Sequence, residues 1–397
     1  MNQATADFIR THADADVHQL ALRGVKDSEV DWLFALDQIA GRQMAKRKLP
    51  SWAATEGIVY PPHLSMEQCS SEQTARYKAA IVGEGQRMVD LTGGFGVDFS
   101  FMARRFAEAV YVEHQEHLCR IAQDNFRLLG LSGVEVVCAD STDYLHNMVP
   151  ADLIYLDPAR RDVHGSRTYG IGDCTPDVLT LRDLLMSKAE RVLVKLSPML
   201  DWRKAVADVG KQLVREVHIV SVGNECKELL LLLGKGEGFR LVCVNDGHVF
   251  ETNGADEASV VNRADEPSIN VTDEVHQGAY LYEPNVSIMK AGCFGEVSQR
   301  YGISPLAQNS HLFVASEHVE DFPGRSFQID TVTTLNKREL KEKLDGLTQA
   351  NITVRNFPLS VAELRKRLKL SEGGSTYIFA TTLAGKDRVL LICHKVI

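Results

Sequence analysis

The chain has 397 residues, enough for two or three domains, and its 44% hydrophobic and 24% charged residues are typical of a soluble globular protein. A formal net charge of −9 excludes a uniformly basic nucleic-acid surface, and no apolar run approaches the roughly eighteen residues of a membrane span. The polar, acidic N-terminus is unlike a secretory signal. Eight cysteines without a CxxC pair indicate reduced thiols, a cytoplasmic protein and no metal site.

The first predicted elements are helices. Helical patterns cover residues 17–24, 28–40 and 41–48, and we predict an N-terminal helical region over residues 1–64. The next helical pattern covers residues 65–82. Either Ser70 or Ser71 could be its N-cap, with acidic and amide side chains in the first turn.

Seven predicted strands follow, and the early ones alternate with helical patterns such as residues 115–129. This alternation indicates a parallel sheet with helices on both faces. Only a short Gly-Asn turn separates the last two strands, so we predict an antiparallel hairpin, because a parallel crossover needs about a dozen residues. The predicted fold is α/β, a doubly wound, Rossmann-like, seven-stranded sheet. Its strands lie near residues 87–91, 109–113, 134–138, 152–157, 190–196, 214–220 and 227–233.

The C-terminal part of the chain has an uneven charge. Residues 246–275 hold eight acids and one arginine, and residues 246–277 are predicted to be an acidic connector. After a small unit at 278–320, residues 321–397 are predicted to form an α+β module. Within it, residues 336–370 hold nine basic and four acidic residues. This basic segment could bind nucleic acid or could be a solvated helix face. The module's predicted elements are helices at 335–346 and 360–370 and strands at 327–332, 350–356, 375–382 and 388–396.

A glycine turn follows the first strand of the predicted sheet, in the sequence DLTGGFGVD at residues 90–98. A strand, a glycine turn and a helix start in this order let the backbone approach a ligand, and the helix N-terminus offers unpaired N–H groups. A glycine turn without a ligand is an equally reasonable interpretation of this motif alone.

Acidic residues stand where the first four strands end. They are Asp90, Glu113, Asp140 and Asp157. Ligands bind at the carboxyl ends of strands in open parallel sheets, and Glu113 follows the glycine turn at the distance typical of a ribose-binding acid. Each acid alone is more often a helix cap or turn residue. Four acids in phase favour a ligand site.

These motifs together resemble a known family. The segments LSMEQCSSEQTARYKA, DLTGGFGVD, YLDPARRD and NITVRNFPLSVAELRKRLKL resemble those of class I S-adenosylmethionine-dependent methyltransferases with a C-terminal THUMP-like domain. Residues 278–320 are similar to the ferredoxin-like segment that accompanies that domain. The resemblance covers about residues 60–397. It implies a methyltransferase domain at 65–245 and a THUMP-like domain at 321–397.

The resemblance implies S-adenosylmethionine as cofactor and assigns two sets of site residues. The reacting edge would contain Asp157, Pro158 and Arg160, with Asp157 orienting the nucleophile or taking its proton. The cofactor site would contain Thr74, Asp90, Thr92, Gly93, Gly94, Phe95, Gly96, Asp98, Glu113, His114 and Asp140. Lys195 and Ser197 are predicted to face the same edge.

The fourth motif departs from the amino-methylating pattern of Asp or Asn, Pro, Pro and an aromatic residue. Ala159 replaces the second proline and Arg160 the aromatic that stacks on a flipped base, which argues against adenine-N6 chemistry. DPAR also resembles RNA 5-methyluridine enzymes, but Ser197 stands where these enzymes need a cysteine. The helix SSEQTARYKA resembles the trimethylguanosine-synthase branch, although its tryptophan is missing. The target atom therefore stays open.

Arginines in the loop after the fourth strand could hold a phosphate, or could pair with Asp162 and Asp173. They are Arg160, Arg161 and Arg167, with His164 and Tyr169 as weaker candidates. We predict an RNA methyltransferase acting on an amino or hydroxyl group, with RNA as partner and neither a metal nor a membrane. The alternative is a non-catalytic RNA-binding or assembly protein that keeps the cofactor fold. A nicotinamide dehydrogenase is disfavoured by the hairpin and the DPAR loop.

Overall fold

The computed structural model describes residues 1–24, 28–160, 170–253, 275–307 and 309–396. These residues divide into two compact units, residues 1–217 with 228–237 and residues 218–227 with 238–397. The described part contains the α-helices α1 Gln3–Thr11, α2 Val17–Arg23, α3 Trp32–Lys48, α4 Pro50–Ala54, α5 His63–Gln68, α6 Glu72–Ile81, α7 Val97–Met102, α8 Glu116–Leu128, α9 Ser141–Asn147, α10 Val178–Lys188, α11 Trp202–Val209, α12 Val286–Ala291, α13 Phe294–Tyr301, α14 Lys337–Lys343 and α15 Val361–Leu368.

The strands of the described residues form a large sheet, a second sheet in the C-terminal part of the chain, and a two-stranded ladder. They are β1 Gly85–Asp90, β2 Phe106–Glu113, β3 Val134–Cys138, β4 Ala151–Leu156, β5 Ala159–Arg160, β6 Cys174–Thr175, β7 Ala189–Leu196, β8 Val214–Val222, β9 Glu225–Gly234, β10 Arg240–Asn245, β11 His248–Asn253, β12 Tyr280–Pro284, β13 Ser304–Pro305, β14 Phe313–Ala315, β15 Gly324–Thr333, β16 Asn351–Val354, β17 Thr376–Thr382 and β18 Arg388–Lys395.

The large sheet confirms the predicted α/β fold. Its order is β11-β10-β8-β9-β7-β4-β1-β2-β3. Strands β1, β2, β3, β4 and β7 are parallel, and β9 runs antiparallel to β7. The central strands are almost wholly buried, as parallel strands covered by helices on both faces are. The ladder of β5 with β6 anchors both ends of the segment that follows Asp157.

The described part of this sheet has nine strands where the sequence predicts seven. The additional strands are β10 and β11, and β11 lies at the start of the predicted acidic connector. Its residues alternate between exposed and buried, with Phe250 and Thr252 inward and Glu251 outward, which is the period of a half-buried strand. The high acid content of this segment hid that alternation. The rest of the predicted connector, residues 254–274, lies outside the described residues.

The helical predictions before β1 need two corrections. The predicted break between residues 40 and 41 does not occur, and α3 continues through Gly41. The helix packs closely on Tyr60 at this position, since a Cβ on Gly41 would lie 2.4 Å from the Tyr60 side chain. The predicted helix 65–82 is instead two helices, α5 and α6. The break occurs because Ser71 caps α6 by accepting a hydrogen bond from Thr74 N at 3.2 Å, while Ser70 turns into the interior.

The C-terminal sheet has the order β13-β14-β12-β15-β18-β17-β16. One face packs on a cluster that includes Phe327, Phe379 and Leu391. The other face packs on a cluster that includes Ile378 and Leu390, and leucines of both α14 and α15 pack against this second cluster. The strands from 280–323 and those from 324–395 share this one sheet. The boundary predicted at residue 320 stays a prediction.

Among the described residues, no helix is both long and apolar enough to cross a membrane. No group of three or more His, Cys, Asp or Glu side chains in the described part is arranged to hold a metal ion. All eight cysteines have free thiols.

The glycine turn after β1 depends on close packing at two of its glycines. A Cβ on Gly93 would lie 2.2 Å from the ring of Tyr111. Gly96 has φ +83°, and a Cβ there would lie 2.6 Å from the Phe126 ring. The rings of Tyr111 and Phe126 are 5.4 Å apart and nearly perpendicular, so the turn rests on an aromatic platform that a larger residue would displace.

We predict that Gly93→Ala lowers the free energy of unfolding by about 1–3 kcal/mol, the range for overpacking a filled site. Urea denaturation followed by circular dichroism measures this change. Gly247→Ala is the matched control, because a Cβ on Gly247 meets nothing within 4 Å. Equal stability of the two variants would contradict the packing account of the turn.

Candidate active site

The predicted site residues gather at the edge where β1, β2, β4 and β7 end. Asp90 is the last residue of β1 and is 1% exposed. Its Oδ1 accepts a hydrogen bond from Thr92 N at 2.9 Å. Thr92 Oγ1 in turn accepts a hydrogen bond from Asp157 N at 2.6 Å. Thr92 thus joins the glycine turn to the end of β4, an arrangement that a glycine at this position could not make.

Burial is the main reason why the pKa of Asp90 is raised well above its ordinary value. The hydrogen bond from Thr92 N works against this shift, and the nearby carboxylates of Asp98 and Asp157 add to it. The turn therefore sits over an acid that would gain from a positive charge placed beside it.

Glu113, at the end of β2, supports the glycine turn from the neighbouring strand. Its Oε2 accepts a hydrogen bond from Gly94 N at 3.0 Å, and its Oε1 accepts one from Gln115 N at 2.9 Å. Nδ1 of the exposed His114 lies 3.0 Å from the same Oε1. A carboxylate has about four acceptor positions, so Glu113 retains capacity for hydroxyl donors of a ligand.

Three of the predicted cofactor residues have structural partners. Asp140 caps α9, with Oδ1 accepting hydrogen bonds from Thr142 N at 2.8 Å and Asp143 N at 3.1 Å. Thr74 is buried in the first turn of α6, and its hydroxyl donates to the Ser71 carbonyl. Phe95 is 5% exposed and packs 4.8 Å from the ring of Trp52. Their cofactor roles stay predictions.

Five charged side chains form a row, which we call the ion-pair chain. They are Glu228, Lys78, Asp98, Lys195 and Asp157, in that spatial order. Lys78 Nζ contacts Glu228 Oε2 and lies 3.1 Å from Asp98 Oδ1. Lys195 Nζ lies 4.0 Å from Asp98 Oδ2 and 2.5 Å from Asp157 Oδ2. Negative and positive charges alternate along the row, so every cation lies between two carboxylates.

The ion-pair chain runs from the protein interior towards solvent. The exposed fraction of the side chain is 0% for Lys78, 9% for Asp98, 11% for Lys195 and 38% for Asp157. Two hydroxyl groups complete the buried end. Tyr155 donates to Asp98 Oδ2 at 2.7 Å, and Ser70 donates to the same oxygen at 2.8 Å. The outer end of the ion-pair chain is thus the half-exposed carboxylate of Asp157.

The neighbouring charges of the ion-pair chain stabilise the charged forms of its members. Burial disfavours a charged Lys195, but the carboxylates of Asp157 and Asp98 outweigh it and raise the pKa of this lysine above its ordinary value. Burial likewise opposes the charge on Asp98, yet Lys78 and Lys195 lower its pKa. Burial raises the pKa of Asp157, and Lys195 counteracts that rise. Lys195 is therefore a cation at neutral pH.

The loop after Asp157 is described only at its ends. Pro158 is buried, Ala159 is exposed, and the backbone of Arg160 pairs with Cys174. The Arg160 side chain and the predicted candidates Arg161, His164, Arg167 and Tyr169 lie outside the described residues. Of the two residues predicted to face this edge, Lys195 lies within β7, one residue before its end, and joins the ion-pair chain, and the Ser197 hydroxyl accepts a hydrogen bond from Met199 N at 3.3 Å.

Sequence reasoning missed Lys78, Glu228 and Tyr155 and considered Ser70 only as a helix cap. A signal was present for two of them. Lys78 lies before the apolar run AAIV, and Glu228 lies before LLLLL. A lone charge beside an apolar run is seldom buried without a partner, so such residues are candidates for a paired interior site.

Three family profiles match parts of the chain. The profile described as THUMP domain-like matches residues 324–395, and one described as a ferredoxin-like domain matches residues 280–323. The profile described as protein-L-isoaspartate(D-aspartate) O-methyltransferase matches residues 64–166. No curated protein matches the chain.

Solved structures extend these matches to the whole chain. A protein from Porphyromonas gingivalis W83, described as a “putative methyltransferase”, is 31% identical over 99% of this chain and 98% of its own, with a TM-score of 0.84. The chain therefore belongs to the family of this methyltransferase-fold protein.

Two further structures match the chain only partly. An rRNA methylase from Streptococcus thermophilus is 15% identical, covering 41% of this chain and 96% of its own, with a TM-score of 0.31. TrmK from M. capricolum, bound to S-adenosylhomocysteine, is 10% identical, covering 41% and 68%, with a TM-score of 0.33. These two matches support no conclusion about activity.

We predict that Lys78→Met lowers the free energy of unfolding by about 3–5 kcal/mol, because it leaves Glu228 buried without its cation and removes the nearer of the two lysines beside Asp98. Combining it with Glu228→Gln should recover part of the loss. Denaturant titration measures both variants. Lys46→Met is the control, since Lys46 pairs with Asp14 on the surface and its loss should change stability little. A Lys78→Met protein as stable as this control would refute the role of Lys78 in holding the site.

Proposed function

We propose that this protein transfers the methyl group of S-adenosylmethionine to RNA. The observation that carries the proposal is the meeting, at one sheet edge, of the glycine turn, Glu113 and the half-exposed Asp157 at the end of the ion-pair chain. Membership of a methyltransferase-fold family and the THUMP-like region support it.

The residues at this edge fit the proposed cofactor. S-adenosylmethionine carries a sulfonium cation, and the edge holds the carboxylates of Asp90, Glu113 and Asp157. Among the described residues, a Cβ on Gly94 would meet one atom within 4 Å, the Thr92 carbonyl at 3.8 Å, so this part of the structure leaves the backbone of the turn open to a ligand. When bound, the cofactor supplies an activated methyl group. Glu113 would hold the ribose hydroxyls, and the turn would hold the methionine part.

Asp157 is suited to bind the nucleophile. Its backbone is fixed by Thr92 and its Oδ2 by Lys195. Among the described residues, its Oδ1 has no hydrogen-bonding partner, so this oxygen can accept an N–H or O–H of a substrate. Placing a nucleophile in line with an activated methyl group supplies much of the rate of such a transfer.

The proposed RNA-binding surface is the outer side of α14 and α15, which we call the basic face. Both helices pack on the same side of the C-terminal sheet, and Arg367 Nη2 donates to the Leu335 carbonyl just before α14. The acids Glu339 and Glu363 are tied into the caps of these helices. The exposed basic residues of this face are Lys337, Arg338, Lys341, Lys343, Lys366, Arg367 and Lys369.

A second candidate follows from the profile match to residues 64–166, which suggests O-methylation of a protein carboxylate. That match ends shortly after Asp157 and leaves out β7, β9 and the basic face. A carboxylate substrate would also meet the negative charge of Asp157. RNA is therefore the better-supported substrate.

The proposal is tested by incubating the full chain with methyl-labelled S-adenosylmethionine and unmodified transcripts of ribosomal and transfer RNA. An isoaspartyl peptide serves as the alternative substrate. We predict label in RNA for the wild type and none for Asp157→Asn, with cofactor affinity unchanged. Asp183→Asn, an exposed position, is the control and should remain active. Label in the peptide alone would favour the second candidate, and cofactor binding without transfer to either would favour a non-catalytic RNA-binding protein.

We predict that Glu113→Ala weakens S-adenosylmethionine binding by about 1–3 kcal/mol, the range for losing a charged hydrogen-bond acceptor. Isothermal calorimetry measures the affinity. Glu108→Ala is the matched control, because Glu108 lies on the same strand with an exposed side chain paired to Arg87. Affinity equal to that of the control would exclude a ribose-binding role for Glu113.

The basic face predicts a salt-dependent RNA affinity, with a slope of about −0.7 per phosphate contact for single strands. Replacing Lys341 and Lys366 by Glu, one on each helix, should weaken RNA binding and flatten the slope by about 1.4. The control reverses Lys395 in β18 and Lys386 in the turn before this strand, which are exposed residues outside both helices. Filter binding at several salt concentrations measures both. An equal effect of the two reversals would argue against a defined RNA surface.

A further inference from the structure

We propose that the methyl acceptor is a ribose 2′-hydroxyl, with Asp157 receiving its proton and Lys195 stabilising the reacting oxygen. This inference rests on the proposed function, methyl transfer to RNA, and names the acceptor that the function leaves open. Three observations carry it: a cation at the reacting edge, the packing that fixes this cation, and the small side chain after Pro158.

The first observation is the position of Lys195. Its ammonium lies 2.5 Å from Asp157 Oδ2, so a nucleophile bound by Asp157 is also close to a positive charge. An amine nitrogen becomes more positive as it attacks a methyl group, and a nearby cation opposes this change. A hydroxyl oxygen instead becomes more negative as it loses its proton, and a fixed cation stabilises it. The placement of Lys195 thus favours oxygen over nitrogen.

The second observation is that Lys195 is held by the rest of the ion-pair chain. Asp98 lies between Lys195 and the fully buried Lys78, and Lys78 contacts Glu228. The ion-pair chain keeps the Lys195 ammonium beside Asp157 without help from a substrate. Lys78, Asp98 and Glu228 are therefore positioning residues, since they act on the reacting atoms only through Lys195. A preorganised charge of this kind costs no rearrangement during the reaction.

The third observation is the residue that follows Asp157 and Pro158. Ala159 is exposed at this edge. Arg160 follows it, at the position where amino-methylating enzymes have their aromatic residue, so neither residue supplies an aromatic ring on which a base could stack. Enzymes that act on a base atom usually hold the flipped base by stacking and by hydrogen bonds to its edge. A ribose hydroxyl is reached from the backbone side of the nucleotide and needs no such platform.

The proton balance is consistent with these roles. The hydroxyl donates a hydrogen bond to Asp157 Oδ1; its oxygen forms the new C–O bond as the S–CH₃ bond of the donor breaks, and the proton passes to Asp157. The products are a 2′-O-methyl ether and the neutral thioether, and Asp157 then releases the proton to water. The raised pKa of Lys195 keeps it protonated throughout, so Lys195 is not the base.

The first test is nucleoside analysis of the labelled transcripts described above. We expect the label in 2′-O-methylnucleosides, which leave alkali-resistant dinucleotides because the neighbouring phosphodiester lacks a free 2′-hydroxyl. Label confined to base-methylated nucleosides would overturn the hydroxyl acceptor while leaving RNA methylation intact. No label in any RNA would overturn the proposed function itself, and the two failures are thus distinguishable.

The second test addresses Lys195. Lys195→Met should lower kcat about 100-fold or more, the loss typical of removing one group that stabilises a reacting oxygen, and Lys195→Arg should recover part of it. Thermal unfolding and S-adenosylhomocysteine affinity of Lys195→Arg should match the wild type, which separates chemistry from folding. Lys204→Met, an exposed lysine paired with Asp208, is the control. Full activity of Lys195→Met would refute the role of Lys195.

A binding measurement provides a readout that does not depend on turnover. With S-adenosylhomocysteine present, the wild type should bind the mapped target oligonucleotide several-fold more tightly than the same oligonucleotide with a 2′-deoxy target nucleotide. In Asp157→Asn and Lys195→Met this difference should shrink. Equal affinity of the wild type for the two oligonucleotides would show that the site does not contact the hydroxyl and would overturn the inference.

Discussion

The buried ammonium of Lys78 is the interaction on which the site depends. It has no exposed surface and lies between the carboxylates of Glu228 and Asp98, which come from β9 and α7. Removing three charges from water is costly, and the cost is offset only when the charges are paired and hydrogen-bonded. Helices α6 and α7 and strands β4, β7 and β9 must therefore all be in place together, because each supplies one charge or one hydroxyl of the network.

This buried network determines which charged group reaches the surface at the edge of the sheet. Its charges alternate outward until the last carboxylate, Asp157, is 38% exposed. Thr92 links the same residue to the glycine turn, because its hydroxyl accepts a hydrogen bond from Asp157 N. This bond joins the turn, the proposed cofactor site, directly to Asp157, the proposed acceptor site. A single strand end thus fixes the distance between them. The burial of Asp90 adds a cost in stability that a cationic ligand would relieve.

The C-terminal sheet differs from this site, because the helices that carry its basic residues pack on it through apolar side chains. The cores on its two faces are apolar, and the basic residues of α14 and α15 stay outside. Arg365 and Arg367 are partly used within the fold, since they donate to the carbonyls of Ala350 and Leu335. Arg367 nevertheless remains exposed, as do Arg338 and the lysines of these helices, whereas Arg365 is half-buried. The charge count of the sequence therefore overstates what the helices offer to a partner, although the sign of the surface is unchanged.

The sequence by itself determined the parallel strands, the glycine turn, the acids at the strand ends and the basic helices, because each has a local period or spacing. The sequence did not predict the hairpin β10–β11, because the acidic residues of this segment made its short alternation of exposed and buried residues hard to recognise. It also did not predict the break between α5 and α6, which depends on the direction of the Ser70 side chain.

Only the tertiary structure decided the partners of the buried charges. Lys78 and Glu228 are 150 residues apart in the chain, and Lys195 and Asp157 are 38 apart. No local pattern encodes such pairs, because the energy that joins them arises only after the sheet has brought their strands together. For the same reason the sequence could name Asp157 as a candidate but could not show that a lysine stands beside it.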